Sequence, residues 1–172
     1  VASFFVFPAF VLLGLLAGGV AIAFLKTVSL VDAVHTRLAV PLWLRPALAG
    51  LAVGVIALGF PEVLGIGYAT TDATLNGAFG LAMVVGLALA KALATALCLG
   101  SRFGGGVFSP SLVLGALVGV GFDQVAGALF PELSSSAALY GILGMGAVAG
   151  AVLGAPISTI IMVFELTHDY GV

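Results

Sequence analysis

The sequence predicts an all-α fold, a polytopic membrane protein with tilted and partly re-entrant helices. Three observations predict it. Only 7% of the 172 residues are charged and 62% are apolar, whereas soluble domains carry roughly 25% charged residues. Long uncharged runs have the length of a bilayer crossing. Other apolar runs are cut short by Gly and Pro. The mean hydropathy of +1.34 agrees. Five Lys+Arg against seven Asp+Glu give a net charge of −2, which excludes a nucleic-acid binder guided by basic patches. The single cysteine, Cys98, allows neither an internal disulfide nor a cysteine metal cluster.

Residues 4–25 hold five Phe, five Leu and no charge, and at 1.5 Å per residue they span about 33 Å, a full hydrocarbon core. Pro8 falls in the first turn or kinks the segment lightly, and Lys26 is the expected end. Residues 27–44 gather Asp32, His35, Arg37, Pro41 and Trp43, which reads as an interfacial connection with an aromatic anchor. Arg45-Pro46 opens the next helix, expected to run to about Phe60 before Pro61-Glu62 breaks it. Residues 61–77, rich in Gly, Thr, Asp and Asn, predict a loop or short helix.

Helix 78–99 carries one interior charge, Lys91. A central lysine costs about 2.5–3.5 kcal/mol on the insertion scale, and six Leu and two Val between 81 and 99 return roughly 2–5 kcal/mol. The segment still inserts, with Lys91 snorkelling or packed. A short helix is expected over 110–122, with Asp123 marking its exit from the membrane. Residues 133–164 are uncharged for 32 positions, about 48 Å as one helix and too long for a bilayer. Gly154-Ala155-Pro156 divides them into helices near 136–153 and 157–168. Short, interrupted helices in a membrane chain point to a transport site near the midplane. Glycines four apart (14 and 18, 50 and 54, 115 and 119, then 146, 150 and 154) predict close helix packing.

The informative stretch is Gly100-Ser-Arg-Phe-Gly-Gly-Gly-Val-Phe-Ser-Pro-Ser-Leu112. Gly104–Gly106 allow a tight loop. Ser109 then Pro110 has the order of an N-cap and a first helical residue, so a helix starts here inside the membrane. Unpaired leading amides and the positive end of the helix dipole attract anions. The other reading of the same residues is a helix start whose amides are capped by neighbouring backbone or by Ser109 and Ser111. No phosphate loop, nucleophile elbow or zinc helix is present in the sequence. Glu165, His35, and His168 beside Asp169 read as structural or interfacial residues, and Arg102 as a residue that concentrates anions or pairs with an acid.

These residues resemble the G-x-F-x-P region of the chloride channel and chloride/proton antiporter family known as CLC. The lead-in from Lys91, Gly115-Ala116, Gly144-Met-Gly-Ala147, Gly154-Ala-Pro-Ile-Ser158 and Phe164-Glu-Leu-Thr-His-Asp-Tyr170 are similar to it as well. The resemblance is specific over residues 88–170. It implies a segment of an inverted-repeat transport domain that moves chloride, with protons exchanged in an antiporter, in a homodimer within a lipid bilayer. The setting expected is a bacterial inner membrane. The first helix and the 157–168 helix are candidate interface elements.

It further implies that the anion binds the backbone amides of Val107 and Phe108, within a site spanning Gly106, Val107, Phe108 and Ser109 at the helix start marked by Pro110. The family's Gly-Lys/Arg-Glu-Gly-Pro and Gly-Ser-Gly-Ile-Pro segments and its last, tyrosine-bearing helix are not found in residues 1–172. The chain is therefore expected to be a partial transmembrane domain, one wall of a pore that does not conduct alone. No cofactor, metal, enzymatic activity or nucleic-acid partner is expected. The alternatives are a structural membrane subunit, or a secondary transporter without anion selectivity. A membrane-embedded enzyme would have only Lys91 and Glu165 to work with.

Overall fold

The computed structural model describes residues 6–129 and 137–167, and among them all regular structure is helical. In chain order these are α1 (Val6–Arg37), α2 (Arg45–Gly59), a 3-10 turn (Pro61–Val63), α3 (Tyr68–Leu75), α4 (Leu81–Gly100), α5 (Phe108–Leu129), α6 (Ala137–Leu153) and α7 (Pro156–Thr167). Three helices, α1, α4 and α5, are long and apolar enough to cross a membrane, with mean hydropathies of 2.3, 2.1 and 1.8. The chain is an integral membrane protein built from them. The outward faces are what lipid requires: Leu15, Leu51 and Leu58 are each at least 70% exposed, an arrangement water would penalise.

Two expected helix ends were wrong. α1 does not stop at Lys26 but runs to Arg37. The sequence from 27 to 37 contains no Gly or Pro, and Thr27, Ser29 and Thr36 return their hydroxyls to the carbonyls of Ala23, Leu25 and Asp32. These polar side chains are thus satisfied without leaving the helix. α1 ends instead where Val40 donates to His35 O and Ala39 to Thr36 O, at 3.0 and 3.2 Å, with Ala39 in the left-handed region. That is a Schellman turn, and Pro41 prevents further helix.

The second error is in α5, which is not a short helix ending at 122. It has 22 residues and continues to Leu129. Asp123, expected at the exit, is buried within it at 7% exposure. Its neighbour Gln124 donates Nε2 to Phe79 O at 2.8 Å, which joins the far half of α5 to the loop before α4.

α5 packs most closely on α6, and glycine is the reason. A Cβ on Gly115 would strike the carbonyl of Gly144, and one on Gly119 the carbonyl of Tyr140. The backbones touch because no side chain separates them. The other expected glycine pairs behave differently. Gly14, Gly18, Gly50, Gly54 and Gly146 have open space where a Cβ would stand, while Gly150 faces Pro156 at 3.3 Å. Gly154, at φ +65°, makes the turn that lays α7 back on α6.

Two of the four apolar clusters among the described residues tie α4 and α5 to their neighbours. Val84, Leu87, Val113, Leu117 and Val120 join α4 to α5 and receive Val63 from the 3-10 turn. Ala17, Phe24, Ala96, Leu114 and Val148 bind α1, α4, α5 and α6 together. At the start of α5, Val107 packs against the second of these clusters and Phe108 against a further one formed by Leu112, Ala116, Met145, Ala149 and Val163.

Candidate functional site

α4 ends in a second Schellman turn, with Phe103 N donating to Cys98 O at 2.9 Å and Arg102 N to Leu99 O at 3.0 Å. The left-handed residue is Arg102, at φ +59°. Gly104–Gly106 were expected to carry the strain of this loop. They do not: none of the three has positive φ, and a Cβ on any of them would meet nothing within 4 Å. Their effect is to leave space beside the loop.

α5 begins at Phe108. The amide of Ser111 donates to Val107 O at 3.2 Å, and the Ser111 hydroxyl donates to the same carbonyl at 2.7 Å. Val107 is therefore the capping position, and Phe108, Ser109 and Pro110 form the first turn. The expected order, Ser109 as cap and Pro110 as first residue, is displaced by two positions. The physical reason is that Ser109 Oγ donates 2.9 Å to Ile66 O, a tertiary bond that takes the hydroxyl away from its own helix.

Helix geometry gives the leading amides no carbonyl in their own helix. The amides of Val107, Phe108 and Ser109 accordingly have no acceptor among the described residues. Pro110 has no N–H to leave unpaired. The structure thus brings Val107, Phe108 and Ser109 together as three adjacent half-buried donors at the positive end of α5, with Gly106 exposed just before them.

The segment after the 3-10 turn holds this start in place. Lys91, buried at 5% exposure, donates Nζ to Val63 O at 2.8 Å and to Gly65 O at 3.0 Å. Ile66 O receives Ser109. Gly67, at φ +92°, stands where a Cβ would lie 2.6 Å from Val113 Cγ2 and 3.5 Å from Lys91 Nζ, so only glycine fits. Thr70 Oγ1 donates to Glu62 O at 3.0 Å and closes the segment. Lys91 is therefore a packed residue that ties α4 to this loop. The Gly65-Ile66-Gly67 spacing opposite a lone helical lysine was the signal available for that role.

Around the mouth of the loop, Asp32 of α1 pairs with Arg45 at 3.4 Å and with Arg102 at 3.7 Å. Arg102 thus pairs with an acid, one of its two expected roles. Its side chain is 65% exposed, and such pairs contribute only about 0–1 kcal/mol. His35 is tied to its own helix through Nδ1 and Val31 O at 2.9 Å. Glu165 lies exposed on α7. His168 and Asp169 lie outside the described residues.

The fold and this helix start define a class: a multi-helix membrane segment that leaves unpaired backbone donors at the start of a helix, beside an exposed glycine loop. The chain belongs to the voltage gated chloride channel family, whose model matches residues 2–172. It is similar to chloride channel protein CLC-f of Arabidopsis thaliana, 33% identical over 180 residues, covering 96% of this chain and 23% of that protein. The proton/chloride exchange transporter ClcA of Vibrio cholerae is 36% identical over 127 residues, covering 74% of this chain and 27% of the relative. Chloride channel protein CLC-e of Arabidopsis thaliana is 33% identical over 183 residues, covering 96% and 26%. The chain spans about a quarter of the length of these curated relatives. All three bear the names of channels or transporters.

Proposed function

We propose that this chain supplies one wall of a chloride pathway, with the ion held by backbone amides at the start of α5. The supporting observation is the set of adjacent amides, Val107, Phe108 and Ser109, that has no acceptor among the described residues. In a low-dielectric setting such donors need a partner, and the helix dipole makes an anion the favoured one. Gly106 and the Phe108 side chain flank the ion, and Pro110 delimits the helix. Neutral dipoles also suit transport, because a full positive charge at the site would hold the ion too long to release it.

The names of the relatives support chloride as the cargo and, for an exchanger, protons as the coupled ion. The complete protein works as a homodimer in this reading, with the apolar outer face of α7 (Ile157, Ile160, Ile161 and Met162) as a contact surface. Native mass spectrometry of the detergent-solubilised protein tests this by its mass. The site itself is tested by chloride flux from liposomes carrying the full-length protein. Phe108→Ala and Pro110→Ala are each expected to change the rate or the anion preference. Unchanged flux and preference in both variants would show that the site lies elsewhere.

A further inference from the structure

α3 packs on α5 and is the polar helix beside the candidate site, with the sequence Tyr-Ala-Thr-Thr-Asp-Ala-Thr-Leu. Its threonines are already bonded. Thr70, Thr71 and Thr74 donate their hydroxyls to the carbonyls of Glu62, Gly67 and Thr70. Asn76, just past the helix, donates Nδ2 to the backbone carbonyl of Asp72. The exposed Asp72 carboxylate, by contrast, takes part in no hydrogen bond and no ion pair among the described residues.

Asp72 lines a cavity of about 200 Å³ together with Tyr68 and with Ser109, Leu112 and Val113 of α5. Ser109 is the last of the three unpaired amide donors, and its hydroxyl already donates to Ile66 O. No cation lines this space among the described residues. Lys91, whose ammonium is held by Val63 O and Gly65 O, forms no ion pair with Asp72. The helix start therefore offers donors to an anion, while a carboxylate without a counter-charge stands beside it.

A carboxylate in that position opposes an anion instead of binding it, and repulsion discriminates by charge. The amides alone do the opposite: the positive potential of a helix start acts on a divalent anion twice as strongly as on a monovalent one. We propose that Asp72 sets the charge class of the anion at the start of α5, admitting monovalent ions such as chloride and rejecting divalent ones such as sulfate. This deepens the proposed function and rests on it, since it takes an anion at Val107–Ser109 as given. The cavity is roughly 7 Å across, and over that distance one exposed unit charge weakens the binding of another by about three- to tenfold. The repulsion energy doubles for a divalent ion. The same carboxylate therefore weakens sulfate by the square of the factor for chloride, about ten- to a hundredfold.

Chloride flux from liposomes carrying the full-length protein tests this, with sulfate as the competing ion. Asp72→Asn removes the charge and keeps the shape at an exposed position. The chloride concentration for half-maximal flux should fall by about three- to tenfold, and the inhibition constant of sulfate by the square of the fall measured for chloride. The size and hydration of sulfate are the same against both proteins, so they cancel from the comparison. Asp72→Glu, which returns the charge, should return the wild-type ratio of the two constants. Equal shifts for the two ions, or none, overturn the inference. Phe108→Ala and Pro110→Ala, measured beside them, separate its failure from that of the proposed function. If either changes chloride flux while the Asp72→Asn shifts are equal or absent, the proposed function stands without this inference. If neither changes it while sulfate follows the square, both fall, because the anion that Asp72 repels then lies away from the start of α5.

Discussion

Replacing Gly119 by alanine tests whether the α5–α6 contact is backbone on backbone. The added Cβ would lie 2.6 Å from Tyr140 C and 2.9 Å from Gly141 Cα, besides striking the Tyr140 carbonyl oxygen. Carbon atoms rest at about 3.5–4.0 Å, so the two helices must part by roughly 1 Å. A gap of that size forfeits a quarter to a half of each dispersion well, which is about 0.1–0.2 kcal/mol per atom pair. Over the few tens of pairs at a helix crossing the loss is roughly 1–3 kcal/mol, the usual cost of overpacking. Gly14→Ala is the control, because its Cβ would meet nothing. In a helix interior that change stabilises by roughly 0.5–1 kcal/mol. Thermal unfolding of the full-length protein in detergent should therefore lower the Tm for Gly119→Ala and hold or raise it for Gly14→Ala. Equal Tm values for the two variants would refute the packing argument.

Four further outcomes can be checked in the same preparation. Arg102→Gly removes a left-handed arginine, which costs about 1–2 kcal/mol, and loses an exposed ion pair worth about 0–1 kcal/mol; stability should hold or rise, and a loss above 1 kcal/mol would mean that the guanidinium does more than pair with Asp32. Asp32→Asn strips the counter-charge from Arg45, whose side chain is only 11% exposed, and should cost about 1 kcal/mol by chemical unfolding; no change would show that the Val40 carbonyl bond to Arg45 suffices. Asp123→Leu replaces a buried carboxyl group whose Oδ1 has no hydrogen-bond partner among the described residues, so a gain of about 1–3 kcal/mol is expected, and destabilisation would point to a stabilising interaction of that group. Ser109→Ala breaks the bond to Ile66 O and should cost about 0.5–1.5 kcal/mol, with faster amide exchange over residues 64–70; unchanged exchange would mean that the bond does not hold that loop.

Much of the fold was legible because proline and glycine punctuate it. Arg45-Pro46, Pro61 and Gly154-Ala-Pro156 mark helix boundaries found within a residue or two. The misplaced ends share one cause. At Lys26 and at Asp123 a charge was taken as the end of a helix, but charge reports polarity and not backbone conformation. Both helices continue, one through hydroxyls bonded to their own carbonyls, the other with Asp123 buried and Gln124 bonded to Phe79. Glycine spacing likewise predicted close packing at every pair, although spacing alone does not say which face meets a neighbour. Gly115 and Gly119 face α6; Gly14 and Gly54 face open space. At the candidate site the residues were legible and their register was not. Capping rules are local, whereas Ser109 answers to Ile66, 43 residues away in the chain.

That displaced register gives Pro110 its place in the site. A helix starting one residue earlier would need the amide of residue 110 to donate to Gly106 O. Proline has no such amide, so the first helical bond is the next one, from Ser111 N to Val107 O. Ser111 Oγ adds a second bond to that carbonyl, which turns the Val107 carbonyl into the helix and leaves the Val107 amide outside it. On the other side, Ser109 is anchored to Ile66, in a segment that Lys91 holds by two carbonyls. The helix start is thus bounded by a missing donor within and by a strapped loop without. A substituted Pro110 would remove the inner bound alone, allowing Gly106 O to take the new amide and drawing Val107 into the helix. The unpaired amides would then turn with it, which is why Pro110, although it contributes no donor, belongs with Val107 and Phe108 in the proposed anion site.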